Sequence, residues 1–397
     1  MKINALSLVK YALLYIVIWC VSPPLSYGGA YRLLALAAIA YIIYWHCKTN
    51  RLKIEKHFVI TIFLIIYMII LGMATGDGAM NKIGVYIILG VLLSAEVITN
   101  PNFSKKDFYF IIPVTFLLCT IWNICSLKGI AETPNIMRIL AKNSYISVVY
   151  AKRGIGGFGY IYMVIILLPI SIDCVLRKEN NTIYRIMAGA FLISGYILVF
   201  QSQYFLAMIL SILLLGIYFV MKIEKITTRV ILLFLLLLGF IIVYANADKI
   251  LLWLISINNM RSIDLKLRST YDLLISGGNI EDSEFSTRFV RYRRDIDYIF
   301  SHPIFGGFTR RVTGNHSHVL SYMAQYGIPI GSIYLSMIIR PFLKLEIVKN
   351  AFVFVVLTIF FIIALMNTIV YMFSIAIYII TPLYFYYLKE GKDIDDG

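Results

Sequence analysis

The chain has 397 residues, is 60% hydrophobic and only 14% charged, and carries a formal net charge of +15. Soluble domains are roughly 45–50% apolar, so this composition excludes an ordinary water-soluble core. Sustained two-residue alternation is absent, which excludes a β-barrel and leaves helices as the way to satisfy the backbone in lipid. Apolar blocks of about 17–22 residues recur, the length that crosses a hydrocarbon core of roughly 30 Å. About twelve spans are predicted, at residues 6–26, 30–47, 57–75, 82–99, 107–127, 157–176, 182–200, 203–221, 229–247, 319–339, 350–369 and 371–388. The first lacks a small-residue cleavage site after it and is expected to be retained as a span. The expected fold class is an all-α polytopic integral membrane protein. Residues 1–247 hold the first nine spans, 248–318 form one large loop, and 319–397 hold the last spans and a charged tail.

Alternate loops carry the basic residues: Lys48, Arg51, Lys53 and Lys56, then Lys105 and Lys106, Arg177, Lys178 and Arg185, Lys222, Lys225 and Arg229, and finally Arg340, Lys344 and Lys349. The positive-inside rule places these loops and both termini in the cytoplasm. Much of the net charge is thereby explained, and no nucleic-acid partner is predicted. The five Cys fall in or beside apolar segments without metal-site spacing, and no disulfide framework is evident. Within the spans, Pro113 and Pro169 predict kinks. Glu96 and Asp173 are intramembrane acids near cytoplasmic ends, where a proton-coupled role competes with simple snorkelling.

Two outer loops, at about residues 128–153 and 248–318, are basic without a topological reason. The larger contains eight Arg: Arg261, Arg268, Arg288, Arg291, Arg293, Arg294, Arg310 and Arg311. Arg offers a planar fork that holds phosphate in two-point contact, which Lys does not. The plainer reading is a solvated loop balanced by its own acids, among them Asp295 and Asp297. Residues 283–301 predict a helix with Ser283 or Ser286 as its N-cap. Phe289, Tyr292, Ile296 and Ile299–Phe300 form an apolar face, with Arg288, Arg291 and Asp295 on another. Such a helix lies at a membrane surface. His302-Pro303 ends it, and Gly306-Gly307 turns the chain. His316-Ser317-His318 follows. A neutral imidazole beside an Arg cluster suits a general base next to a bound anion. A zinc site is poorly indicated, because His316 and His318 have no third ligand at metal spacing.

These residues resemble the signature loop of the O-antigen polymerase and ligase superfamily. That pattern has an Arg, an aromatic four residues later, His-Pro-x-x-Gly-x-Gly, and a His just before a span that contains Gly-Ile/Leu-x-Gly. Arg288 takes the Arg position, and Tyr292 stands where Trp is usual. His302-Pro303-Ile304-Phe305-Gly306-Gly307-Phe308 matches the His-Pro element, with Phe308 in place of the second Gly. His318 matches the family's His, followed by Val319 where Asn is usual, and Gly327-Ile328-Pro329-Ile330-Gly331 matches the closing element. Earlier in the chain, Arg153 precedes the Gly-rich run Gly154-Ile155-Gly156-Gly157, which also serves plain helix packing. Gln201-Ser202-Gln203 stands where the family often has Ser-Arg.

The resemblance implies a bacterial inner-membrane glycosyltransferase with the architecture of the multi-spanning lipid-sugar transferases (the GT-C type). Its substrate would be an oligosaccharide repeat unit on undecaprenyl pyrophosphate, met at the periplasmic face. It implies that His318 deprotonates the attacking sugar hydroxyl and that Arg153 and Arg288 hold the pyrophosphate. Arg291, Arg310, Arg311, His316 and Tyr292 are candidate substrate contacts. No metal or cofactor is expected, and the expected partners are membrane lipids, the lipid-linked sugar and a chain-length regulator. An O-antigen ligase, which moves finished polymer onto lipid A core, shares the same loop. A transporter of lipid-linked sugars is the rival of another class, but it needs charge inside the spans rather than in outer loops.

Overall fold

The computed structural model describes residues 5–26, 29–49, 56–76, 89–93, 108–134, 136–142, 144–178, 180–223, 225–257, 264, 267–268, 271, 284–308, 313–314, 316–343, 345, 350–369 and 371–395. Among these residues all regular structure is helical. The elements are α1 (Ala5–Val21), α2 (Gly29–Thr49), α3 (Lys56–Thr75), α4 (Ile111–Glu132), α5 (Ile136–Lys142), α6 (Ser144–Lys152), α7 (Phe158–Leu176) and α8 (Thr182–Gln201). They continue with α9 (Phe205–Met221), α10 (Ile226–Ala245), α11 (Ala247–Ile257), α12 (Glu284–Ser301), α13 (His318–Leu343), α14 (Ala351–Met366), α15 (Tyr371–Ile375) and α16 (Thr381–Asp395). Four of them, α4, α7, α8 and α13, are each long and apolar enough to cross a membrane, and α1 to α3, α9 and α14 contribute shorter apolar runs. The protein is a helical membrane protein. Of the predicted span 82–99 only residues 89–93 are described, and they are helical; Glu96 lies outside the described residues.

The chain divides into two compact units. The first comprises residues 1–202, 333–360 and 369–397, and the second 203–332 and 361–368. The first unit is built around α7, whose residues Tyr160 to Ile170 are buried on every side. Apolar packing gives helices little reason to associate in lipid, so close approach and hydrogen bonds matter more. Both occur here. Gly195 of α8 lets that helix close on Val164 and Leu168 of α7. Asn123 of α4 donates to the Ser194 hydroxyl at 3.0 Å and accepts from the Tyr160 hydroxyl at 2.9 Å.

Two local expectations change. Pro113 sits in the first turn of α4, where no helical N–H is required, so it starts the helix instead of bending it. The basic loop expected at 128–153 is mostly helical, because α4 runs on to Glu132 and α5 and α6 follow. Near the end of the chain, Pro382 has no N–H to donate to Tyr378. The helix accommodates this with one wide turn at Ala376–Ile380 before α16. Asp173 is paired: the Arg177 guanidinium lies 2.6 Å away, and the Tyr384 hydroxyl donates to it at 2.9 Å.

Candidate functional site

The Arg- and His-bearing segments meet in the second unit. α12 begins at Glu284, so Ser286 lies inside it and Ser283 just before it, outside the described residues. It ends at Ser301, one residue before His302-Pro303, as the conformational restriction on the residue preceding Pro requires. The predicted apolar face is split. Tyr292 and Ile299 turn inward, and the residue between them on that stripe is Asp295, fully buried; Phe289, Ile296 and Phe300 are exposed.

Asp295 organises the site. One carboxylate oxygen accepts the Gly314 N–H at 2.6 Å, and the other accepts the Ser321 hydroxyl at 2.9 Å. Burial pushes this carboxyl above the usual aspartate range, opposed by those two hydrogen bonds and by Arg294. The loop lies so close to α12 that a Cβ at Gly314 would collide with the Arg291 carbonyl. Two residues later, His316 Nε2 contacts the Arg291 guanidinium. A guanidinium only donates, so in this contact the imidazole nitrogen is the acceptor. Ser317 then caps α13: its hydroxyl accepts the Leu320 N–H at 3.2 Å.

His318, the first residue of α13, is fully buried, with its ring against Tyr322 and its N–H donated to the Asn367 carbonyl at 3.2 Å. The Tyr292 hydroxyl reaches the neighbouring Met366 carbonyl at 3.3 Å. So the end of α14 forms the third wall of the site.

The His-Pro turn docks on α13 by repairing a break in it. Gly327 has φ +78° and is non-helical, and Pro329 has no N–H to offer the Gln325 carbonyl. The turn supplies what is missing. Gly307 N–H donates to Ala324 O at 3.0 Å, Phe308 N–H to Gln325 O at 2.8 Å, and Ile328 N–H to Pro303 O at 2.8 Å. Gly306 and Gly327 sit so close that a Cβ on either would strike the other strand of backbone. The motif glycines are thus explained by backbone-to-backbone contact.

Of the residues singled out by sequence, Arg291, Tyr292, His316 and His318 are brought onto one small framework. Arg288 stands on α12 on the same face as Tyr292 and Asp295, while its side chain and all of Arg310 and Arg311 lie outside the described residues. Arg153 belongs to the first unit, exposed at the turn after α6, with its guanidinium over the Tyr150 ring at 5.5 Å. Ser202 is buried and closes α8 on the Val199 carbonyl, and Gln203 adopts a left-handed backbone with φ +57°. In sequence, Asp295 reads as one of the acids that balance the loop's own charge. Its signal was its spacing, three residues after Tyr292 and four before Ile299. Among the described residues, no three His, Cys, Asp or Glu side chains are grouped as metal ligands. No family model and no curated protein matches the chain.

Proposed function

We propose that this protein is a surface-polysaccharide polymerase of the bacterial inner membrane, joining repeat units carried on undecaprenyl pyrophosphate at the periplasmic face. The proposal includes about twelve spans, both termini in the cytoplasm, and the architecture of multi-spanning lipid-sugar transferases. What supports it most is the contact between Arg291 on α12 and His316 on the loop that Asp295 clasps to the same helix. Transfer from a pyrophosphate donor needs cationic forks at the leaving group and a base for the incoming hydroxyl. The hydroxyl oxygen bonds to the anomeric carbon, the bond from that carbon to the pyrophosphate breaks, and the hydroxyl proton passes to the imidazole. By resemblance His318 is that base, and Arg288 and Arg153 hold the pyrophosphate. Arg291, Arg310, Arg311, Tyr292 and His316 contact phosphate or sugar.

One observation favours a second assignment of the base. His316 is half-exposed and is occupied at Nε2 by Arg291, whereas His318 is buried. A phosphate that drew Arg291 onto itself would free the Nε2 lone pair of His316 beside the reacting sugar. The experiment is in vitro: purified protein, a lipid-linked repeat unit from its host, EDTA, and a gel. The expected result is a ladder that His318→Ala abolishes. A ladder surviving His318→Ala but lost in His316→Ala moves the base. Transfer only when lipid A core is added replaces polymerase by ligase, and a ladder unaffected by Arg288→Ala and by both His variants removes the proposal.

A further inference from the structure

The turn that repairs α13 also fixes its own depth. α13 has 26 residues, at most about 39 Å of helix at 1.5 Å per residue, a length that the break at Gly327 can only shorten. A hydrocarbon core of roughly 30 Å takes about 20 of them. Even if the whole surplus of about six residues projected on the His318 side, hydrocarbon would begin near residue 324. Any tilt uses more residues in crossing and moves that boundary closer to His318. The three backbone hydrogen bonds from the His-Pro turn reach Ala324, Gln325 and Ile328. The turn is therefore held beside the membrane-crossing length of α13, not beyond its end.

Its chemistry suits that depth. The backbone there is satisfied: Gly306 N–H donates to His302 O at 3.0 Å, and Gly307 and Phe308 donate to α13. Non-helical backbone at membrane depth is tolerated only when protein supplies its partners. Most of the side chains that face away from the protein are apolar: Ile304 is 61% exposed, Phe305 68% and Phe308 38%; His302, also exposed, keeps its ring stacked on Tyr298 and its Nδ1 against the Ser301 hydroxyl. They continue the outward stripe of α12, in which Phe289 is 63% and Phe300 78% exposed. Phe289, Ile296 and Phe300 fall within about 40° of one another around the helix. Arg293 stands on the same stripe, 84% exposed, with its guanidinium 3.8 Å from the exposed Asp297 carboxylate.

We infer that the 302–308 turn and the outward stripe of α12 are inserted into the adjacent leaflet and pack against phospholipid acyl chains. The inserted turn thereby sets the height of the Arg291–His316 pair above the membrane.

The test uses the full chain reconstituted in nanodiscs of phosphatidylethanolamine and phosphatidylglycerol. The photocrosslinker p-benzoylphenylalanine replaces Phe300 or Phe305. Ile193, 66% exposed on the membrane-crossing helix α8, is the lipid-facing control, and Arg294, exposed on another side of α12, is the water-facing one. Mass spectrometry after irradiation reads adducts of phospholipid mass. Positions 300 and 305 should give yields within about threefold of position 193, and position 294 at least about tenfold less. Adducts at 193 but not at 300 and 305 would overturn the inference. So would adducts of polyprenyl mass alone when polyprenyl phosphate is added to the nanodiscs, because the surface would then serve a substrate tail. Monodisperse elution of each variant shows that the chain is folded.

Discussion

Arg291 and His316 constrain each other through one proton. Because the guanidinium keeps its hydrogens, the imidazole nitrogen that meets it serves as an acceptor, the role a base requires. Arg291→Ala should lower the transfer rate about tenfold to a hundredfold, the equivalent of a lost charge-assisted contact of about 1.5–3 kcal/mol, measured as initial ladder formation. Asp295 acts differently, on the framework. Asp295→Ala leaves the buried Gly314 N–H and Ser321 hydroxyl without their acceptor, at about 1–3 kcal/mol for each group. It should lower the thermal midpoint in detergent well below that of Asp295→Asn, which keeps one acceptor. The pH dependence has a definite sign. Burial raises this carboxyl in the folded protein, so the protonated form is favoured on folding. Its contribution is complete below the ordinary aspartate range and is lost as pH rises through the raised folded value. The stability of the natural protein relative to Asp295→Asn should therefore fall with rising pH across that window, and a difference that stays flat would remove the buried-carboxyl account.

At the scale of elements, the site is a repaired helix break with a second helix clasped beside it. The repair depends on Gly327, whose φ of +78° places it where an L side chain is strained and whose Cβ would strike the Ile304 carbonyl. Gly327→Ala should cost about 1–3 kcal/mol through backbone strain and expel the His-Pro turn. Gly189→Ala on α8, where the nearest atom to a Cβ is Val175 at 4.0 Å, should leave the thermal midpoint nearly unchanged. Equal midpoints for the two variants would show that the turn contributes nothing to α13. The sequence signalled α12 correctly through its polar–apolar pattern and its Pro303 stop, but it assigned the inward face in part wrongly. Periodicity counts an acid as outward. It has no way to register that a glycine N–H and a serine hydroxyl, 19 and 26 residues away, would make burial of Asp295 tolerable.

For the whole molecule, the long apolar helices and the alternating basic loops predict a topology that reporter fusions read directly. Alkaline phosphatase fused after Lys225 should be inactive, and fused within residues 272–283 active, because the enzyme folds only outside the cytoplasm. The reverse result would invert the placement of the candidate site. Composition alone decided that this chain is a helical membrane protein, since lipid leaves backbone amides no partner except their own helix. Local sequence also decided where α12 stops and where the chain turns, because Pro and Gly restrict or free their own dihedrals. Tertiary structure alone decided which polar groups are partners. Arg291 with His316, Asp295 with Gly314, and the His-Pro turn with the broken α13 all join residues far apart in sequence. The Asp295 bonds and those of the His-Pro turn form where packing excludes water and each buried group must find a partner, a condition set by the fold as a whole and not written at any one position.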